Sequence, residues 1–345
     1  LFMDATPRSK TTRVTLQDVA TEAGVSTATV SRYLNNQSAL KPDTIREVER
    51  AIERLGYYPD LNARALATRR PSTLGAIIPT TENAIFAEGV EAMQSWLMAR
   101  DIMLMTVSTR YNPEVEFEQV RRLVAHGVSA LMLIGNARPE KTIQFIRSHN
   151  IPFCTAWSFQ AESDNPQIGF NNVEAAYQMG EKLIQSGHRQ IGIIGGLTHY
   201  NDRATDRIQG IRQCFADHGH PIDDELVLET PYHPEDSAVA LDQLLAKAPS
   251  LTAIFCGNDV LAAGALHRAH ERGISIPDEL SITGFDDIAL AKILRPQLTT
   301  IHLPHRFMGE MAAQALYDAV INNEPVKSLE IPFSIRDRGT LGKPD

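Results

Sequence analysis

From residue 73 onward, short β-rich runs alternate with amphipathic stretches, and this alternation constrains the fold more than any other feature of the 345-residue chain. Strands are predicted at Leu74 to Pro79, Ile102 to Val107, Ala130 to Ile134, Phe153 to Ala156, Gln167 to Phe170, Ile191 to Gly195, Ala253 to Cys256 and Ser281 to Phe285. Helices are predicted between them, at Phe86 to Ala99, Glu114 to Ala125, Val173 to Gln185, Thr205 to His218, Ala238 to Lys247, Asp259 to Arg272 and Arg306 to Ile321. Strands that alternate with helices form parallel sheets covered on both faces, so the fold class is α/β with doubly wound sheets. The pattern runs twice, the second half being fed by Gly187-His188-Arg189-Gln190, which predicts two parallel sheets. Such sheets bind ligands at the carboxyl ends of their strands.

The residues before this body follow a different plan. Thr15 caps a helix whose apolar members Leu16, Val19, Ala20 and Ala23 fall at i, i+3, i+4 and i+7. Gly24 permits a tight turn, and Ser26 caps a second helix with Val30 and Leu34 on its apolar side. Asn35 to Ser38 reads as a loop. Lys41-Pro42-Asp43-Thr44 opens a third helix through Ile45, Val48, Ile52 and Leu55, ending at Gly56. Its apolar stripe closes a small core against Val19 and Val30. Two short helices around a glycine turn, the second polar and carrying Arg32, form a helix-turn-helix, whose second helix enters the DNA major groove. Beyond Pro59, the segment Asp60 to Ala67 reads as a short hinge helix too marginal to form without a partner. Arg69-Arg70-Pro71-Ser72 reads as a linker into the body.

Charge supports the division. The formal net charge of −9 argues against a nucleic-acid partner until it is split. Residues 8 to 71 hold eleven Lys/Arg and seven Asp/Glu, or +4, whereas residues 72 to 345 hold twenty-two and thirty-four, or −12, with Asp4 outside both. Basic charge sits where phosphates are to be met, and an acidic body limits indiscriminate binding. No apolar run reaches the roughly 18 residues of a membrane span, and residues 1 to 10 lack a signal-peptide core. Cys154, Cys214 and Cys256, odd in number and set in apolar stretches, read as buried thiols of a cytoplasmic protein rather than disulfides or zinc ligands.

The headpiece resembles the family of the lactose and purine repressors. The matching residues are Thr15-Leu16-x-Asp18-Val19-Ala20, Ala23-Gly24-Val25-Ser26, Thr29-Val30-Ser31-Arg32, Leu55-Gly56-Tyr57-x-Pro59 and Ala63-x-x-Leu66, nearly without gaps over about fifty residues. The resemblance implies that Thr27, Ala28 and Arg32 face base edges, and that Ser26, Thr29, Asn35 and Tyr57 hold phosphates. Thr15, Ser31 and Ala63 complete the expected DNA-facing set. It also implies that paired hinge helices insert Leu66 into the minor groove and kink the duplex. The chemistry of the residues agrees, since Arg32 can bridge a guanine, and Thr or Ala can approach a thymine methyl.

The body resembles the bilobed, periplasmic-binding-protein-like effector domain of the same family. Its strand-end segments give the expected effector-binding set. Phe86 follows the first strand. Arg207, in Arg207-x-x-Gly210, aligns with the family arginine that grips the effector, and Tyr232 with a ligand-stacking aromatic. Asn258, Asp259 and Asp286 follow later strands. A guanidinium, carboxylates and aromatic rings suit a sugar, a sugar acid or a base. Trp157 stands where the lactose-type repressor has a hydroxyl-binding Asp, which points away from a lactose-like galactoside. Arg203, four residues before Arg207, resembles the gluconate-utilisation repressors, as does Ile168 to Asn172, and two arginines suit a carboxylate.

Rival classes lack their motifs. Gly195-Gly196 belongs to neither a G-x-G-x-x-G nor a P-loop, His188, His199 and His233 lack metal spacing, and no nucleophile elbow occurs. A solute-binding protein would share the body without the headpiece. The expected organisation is a tail at 1–11, a helix-turn-helix headpiece at 12–59, a hinge helix and linker at 60–72, and a bilobed effector-binding and dimerisation domain at 73–345. The expected protein is a non-enzymatic, homodimeric regulator without cofactor or metal, its partners being a palindromic operator duplex and a small-molecule effector. Pro332 to Asp345 shows no leucine heptads, which favours a dimer over a tetramer.

Overall fold

The computed structural model describes residues 14–35, 40–58 and 73–344, and the chain divides into two compact units, Leu1–Arg70 and Pro71–Asp345. In the first unit, α1 (Leu16–Glu22) starts at a capping box: Asp18 N–H donates to Thr15 Oγ1, and the Thr15 backbone N–H donates back to the Asp18 carboxylate at 2.8 Å. Both orphan donors of the helix start are thereby satisfied. The Thr15 hydroxyl also donates to that carboxylate at 2.7 Å, and this bond, with the one from the Thr15 backbone N–H, holds the exposed Asp18 carboxyl below the usual range. Gly24, at φ +64°, makes the turn that delivers the chain to α2 (Thr27–Asn35), where Ser26 Oγ accepts the Thr29 N–H at 3.2 Å. The third helix, α3 (Pro42–Leu55), carries Pro at its first position and stops at Gly56 in the left-handed region. Val19, Ala20, Val30, Val48, Ala51 and Tyr57 close the core between the three helices. The proposed hinge helix at 60–72 lies outside the described residues.

The second unit holds two six-stranded sheets. The first consists of β1 (Thr73–Ile78), β2 (Met103–Ser108), β3 (Leu131–Ile134), β4 (Phe153–Ala156), β5 (Gln167–Gly169) and β11 (Leu329–Glu330), in the order β11-β5-β4-β3-β1-β2. The second consists of β6 (Ile191–Gly196), β7 (Val227–Thr230), β8 (Ala253–Cys256), β9 (Ser281–Asp286), β10 (Thr299–His302) and β12 (Ser334–Arg336), in the order β12-β10-β9-β8-β6-β7. Without the edge strands β11 and β12, each sheet has the doubly wound 2-1-3-4-5 order, whose direction reverses beside its first strand. Every pairing is parallel except β10 with β12. The central strands β1, β3, β6, β8 and β9 are buried along their whole length, as parallel strands covered on both faces must be.

Helices cover both faces of each sheet. In the first lobe, α4 (Ala84–Met98) and α12 (His305–Ile321) pack together on one side, and α5 (Pro113–Ala125) with α6 (Glu140–Ser148) on the other. In the second lobe, α7 (Asn172–Gln185) packs on α8 (Asp202–Asp217), and α9 (Pro234–Lys247) on α10 (Asp259–Glu271), with short α11 (Ala289–Ile293) beside α10. The chain therefore passes between lobes three times: from β5 into α7, from β10 into α12, and from β11 into β12. The α/β class and the two doubly wound sheets expected from the sequence are observed. Strands β7, β10, β11 and β12 and helices α6 and α11 were not among the expected elements. The three cysteines are free and buried, and burial pushes the Cys154 thiol up to about 12.

Candidate functional site

The headpiece presents one face of α2 to solvent. Val30 on its inner side is fully buried, whereas Ala28 and Arg32, one turn apart, are exposed, and Thr27, Thr29 and Ser31 are partly exposed. Among the described residues Arg32 makes no ion pair, so its guanidinium is free to meet a base edge or a phosphate. Ser26 and Thr29 share a hydroxyl contact of 2.9 Å at the helix start, where backbone N–H groups favour an anion. Thr15 is exposed but committed to its capping box. Tyr57 is buried in the three-helix core. Ala63, Leu66 and the Asn35 side chain lie outside the described residues.

In the body, the strand ends of the two lobes meet around a buried polar circuit. Trp157, directly after β4, takes φ +63° and is fully buried. Its indole Nε1–H donates to His305 Nδ1 at 3.1 Å. The other imidazole nitrogen, Nε2, therefore carries the proton and donates to the Asp286 backbone carbonyl at 3.1 Å. Burial keeps that imidazole neutral, pushing its pKa down to about 3. The Asp286 carboxylate lies 3.1 Å from the Arg207 guanidinium, whose Nε donates to Asn172 Oδ1 at 2.9 Å. Asn172 Nδ2 completes the circuit by donating to the Trp157 carbonyl at 3.1 Å. The circuit crosses between lobes twice, at Asn172 to Trp157 and at His305 to Asp286. Burial raises the Asp286 carboxyl to about 6 despite Arg207. Arg207 also donates to the Gly257 carbonyl at 2.7 Å and stacks 3.7 Å above the Phe285 ring.

A second set of contacts closes the opposite part of the cleft. Asp202, the first residue of α8, accepts the Asn136 backbone N–H at 2.7 Å and pairs with Arg203 at 2.9 Å. Gly135 precedes Asn136 at φ +68°, and a side chain there would overlap both Arg203 and Asp202. Tyr111, after β2, hydrogen-bonds to Arg203, and its ring centroid lies 6.2 Å from that of Tyr232, after β7. Tyr232 in turn covers Gly196 and accepts the Asn201 amide at 3.1 Å. Burial alone would lower the Arg203 pKa, but Asp202 and the two tyrosines outweigh it and raise it. Asp206, one turn along α8, is hydrogen-bonded by Gln160 of the first lobe; burial, then Asp202, raises its carboxyl to about 6. Beside Arg203, a cavity of about 20 Å³, lined by Tyr111, Tyr200 and Thr109 among others, has room for about one water.

Of the effector residues expected from the sequence, Arg203, Arg207, Tyr232 and Asp286 come together around the cleft. Trp157 and Phe86 form its inner wall, edge to face at 5.7 Å and fully packed into the first lobe. Asn258 and Asp259 are turned inward. Asn258 caps α10, and the Asp259 carboxylate is fully buried, accepting from Thr300 Oγ1 at 2.5 Å and Ile288 N–H at 2.8 Å. Burial and the neighbouring Asp286 raise the Asp259 carboxyl well above its ordinary value. Sequence reasoning missed Tyr111, Asn136, Asp202, Asp206 and His305 and gave Asn172 no role. Tyr111, Asn136, Asp202 and Asp206 carried a usable signal, each lying in a segment that follows a predicted strand, whereas His305 did not.

A DNA-reading helical headpiece and a bilobed sheet domain with a polar cleft define a ligand-responsive class of transcription regulator. Residues 15–60 match the family model of bacterial regulatory proteins of the lacI family, and residues 181–341 match a periplasmic-binding-protein-like domain. The chain is 32% identical to the transcriptional repressor PurR of Photorhabdus laumondii over 334 residues, covering 96% of this chain and 98% of that protein. It is 30% identical to catabolite control protein A of Priestia megaterium over 327 residues, covering 94% and 98% respectively. The structure of the lac repressor dimer bound to operator and an anti-inducer aligns with a TM-score of 0.84 at 25% identity, covering 95% of this chain and 99% of that one. The chain belongs to the LacI family and is a DNA-binding transcription regulator. Its relatives are regulators rather than enzymes, and among the described residues no helix is long and apolar enough to cross a membrane.

Proposed function

We propose that this protein is a homodimeric repressor of carbohydrate or sugar-acid utilisation genes, released from or tightened on its operator by a small molecule held between the two lobes. The observation that carries this reading is the exposed Ala28–Arg32 face of α2 in a chain whose body bridges its lobes through buried polar groups. One headpiece reads only a few base pairs, so a palindromic site read by two copies supplies the specificity. Thr27, Ala28 and Arg32 are assigned to base edges. Ser26, Thr29, Ser31, Asn35 and Thr15 are assigned to phosphates or to holding the helix start, and Ala63 and Leu66 to the minor groove. Tyr57 supports the headpiece core. Exposed Met98 and Met103, where α4 meets the edge strand β2, supply apolar surface for self-association. Lobe closure around a ligand is the switch, because both inter-lobe bonds of the circuit end on elements next to chain crossings.

The test is selection of duplexes from a randomised pool with the full-length protein, followed by titration across salt concentrations. Palindromic sequences should be recovered, and the logarithm of affinity should fall linearly with the logarithm of salt. Recovery of unrelated sequences, or binding indifferent to salt, would overturn the reading.

A further inference from the structure

The first turn of α8 reaches out of the second lobe into the first. Asp202 accepts the Asn136 backbone N–H at 2.7 Å, Arg203 hydrogen-bonds to Tyr111, and Asp206 to Gln160. The place of these contacts in the two sheets gives them leverage. The strands at the chain crossings lie on one side of each sheet, β5 and β11 in the first lobe, β10 and β12 in the second. Tyr111 follows β2, the opposite edge strand of its sheet, and α8 follows β6, which lies beside the opposite edge strand β7. The circuit bonds differ, because Asn172 and His305 open the helices that follow two of the crossings. Rotation of the lobes about the crossings moves groups at the far edges most, so the α8 contacts are the ones that must part when the cleft opens.

The Asp202–Arg203 pair is fitted to its seat. Its two side chains are 11% and 6% exposed and meet at 2.9 Å. One Asp202 oxygen serves Arg203 and the other the Asn136 N–H, so both are occupied across the lobe boundary. The wall they meet is Gly135, at φ +68°, where a side chain would overlap both residues. A buried ion pair gives little net stability, since both charges lose water. It is directional, however, and this one fits a single arrangement of the lobes. Every group in it belongs to the protein, so its bias acts before any small molecule arrives.

We propose that the Asp202–Arg203 pair, seated against Gly135, is a latch that holds the lobes together at the edge away from the crossings and populates the closed arrangement before a small molecule is held. The inference rests on reading the body as an effector domain and adds a layer of regulation to it. A small molecule then shifts an equilibrium that the latch has already biased.

The test is fluorescence energy transfer between the lobes of the full-length protein, extensively dialysed and with no small molecule added. The three native cysteines are buried, so dyes are placed through Gln144→Cys on α6 and Gln243→Cys on α9, both exposed. Labelled protein is mixed with excess unlabelled protein, so that only distances within one chain are read. The latch is broken from either side, by Asp202→Ala in the second lobe and by Gly135→Asn in the first. Asn accepts a positive φ, and its side chain fills the seat of the pair. The otherwise unsubstituted labelled protein should populate a short inter-lobe distance, and each latch variant should move the closed-to-open ratio toward open by about fivefold or more. A labelled protein with the latch intact that shows only the long distance would overturn the proposal, as would a ratio unchanged by the substitutions. The two act from opposite lobes, so a folding defect in one leaves the other to decide, and an open arrangement with the latch intact decides without either. Duplex binding is read separately. A protein that is open yet selects a palindrome defeats the latch alone, whereas absence of palindrome-specific binding defeats the regulator reading and leaves the distance result standing.

Discussion

The Trp157 indole N–H donates to His305 Nδ1 at 3.1 Å, joining two residues 148 positions apart and fixing the proton of His305 on Nε2, where it reaches the second lobe at Asp286. This bond makes the register of β4 and the start of α12 a single structural unit. It also explains why Trp157 tolerates a positive φ, since its side chain, N–H and carbonyl are held by Phe86, His305 and Asn172 respectively.

Replacing His305 with Ala should therefore leave the Trp157 N–H without its partner in the interior and remove the donor to the Asp286 carbonyl. Each loss costs about 1–3 kcal/mol, so the body should lose roughly 2–6 kcal/mol of stability, toward the lower end if water enters. Urea denaturation followed by tryptophan fluorescence measures it. A loss below about 1 kcal/mol would show that the circuit is not a structural unit.

Arg207→Ala removes the cation that pairs with Asp286 among the described residues, and with it the donors to Asn172 Oδ1 and the Gly257 carbonyl, so the buried carboxyl must either protonate or stay unpaired. Breaking a buried pair from one side costs about 3–5 kcal/mol. The Asp286 carboxyl, raised to about 6 beside Arg207, should rise further in the variant. The loss should accordingly shrink on lowering the pH from 7.5 to 5, as denaturation at both values would reveal. An equal loss at the two pH values would contradict the assignment.

The α/β class, eight of the strands and both doubly wound halves were legible because buried parallel strands are continuous apolar runs, as at Leu131–Ile134 and Ala253–Cys256. The edge strand β7 and the Thr-rich β10 escaped because neither offers such a run. Arg207 and Asp286 were legible from motif and strand-end position. His305 was not, because its role depends on a contact 148 residues away that no local pattern encodes. Asp259 looked like a ligand group for the same reason that Asp286 did, and only the Thr300 and Ile288 bonds reveal that it faces inward.

Asp206 sets a pH dependence of opposite sign to that of an ordinary ion pair. Its folded-state pKa of about 6 lies above its unfolded value, so the folded form binds more protons between about pH 4 and 6. Its contribution to stability therefore falls as pH rises through that window, and the full penalty is present above it. Asp206→Asn should raise the melting temperature by about 1–3 °C at pH 7.5 and have little effect at pH 4.5. Differential scanning calorimetry at the two pH values decides it, and a variant less stable at pH 7.5 would reverse the sign.

Arg32 is the exposed cation of α2, one turn beyond Ala28 and without an ion-pair partner among the described residues. It neither packs in the three-helix core nor caps a helix, so Arg32→Ala should leave headpiece folding unchanged. If it reads a guanine through its two terminal nitrogens, the loss is about 1–3 kcal/mol, or roughly tenfold to hundredfold in affinity per half-site, concentrated at one base position. If it meets only phosphate, the loss is uniform across sequences and the salt slope falls by about one. Competition binding with single-base variants of the selected duplex, at two salt concentrations, separates the two roles. An affinity unchanged at every sequence and salt concentration would remove Arg32 from the interface.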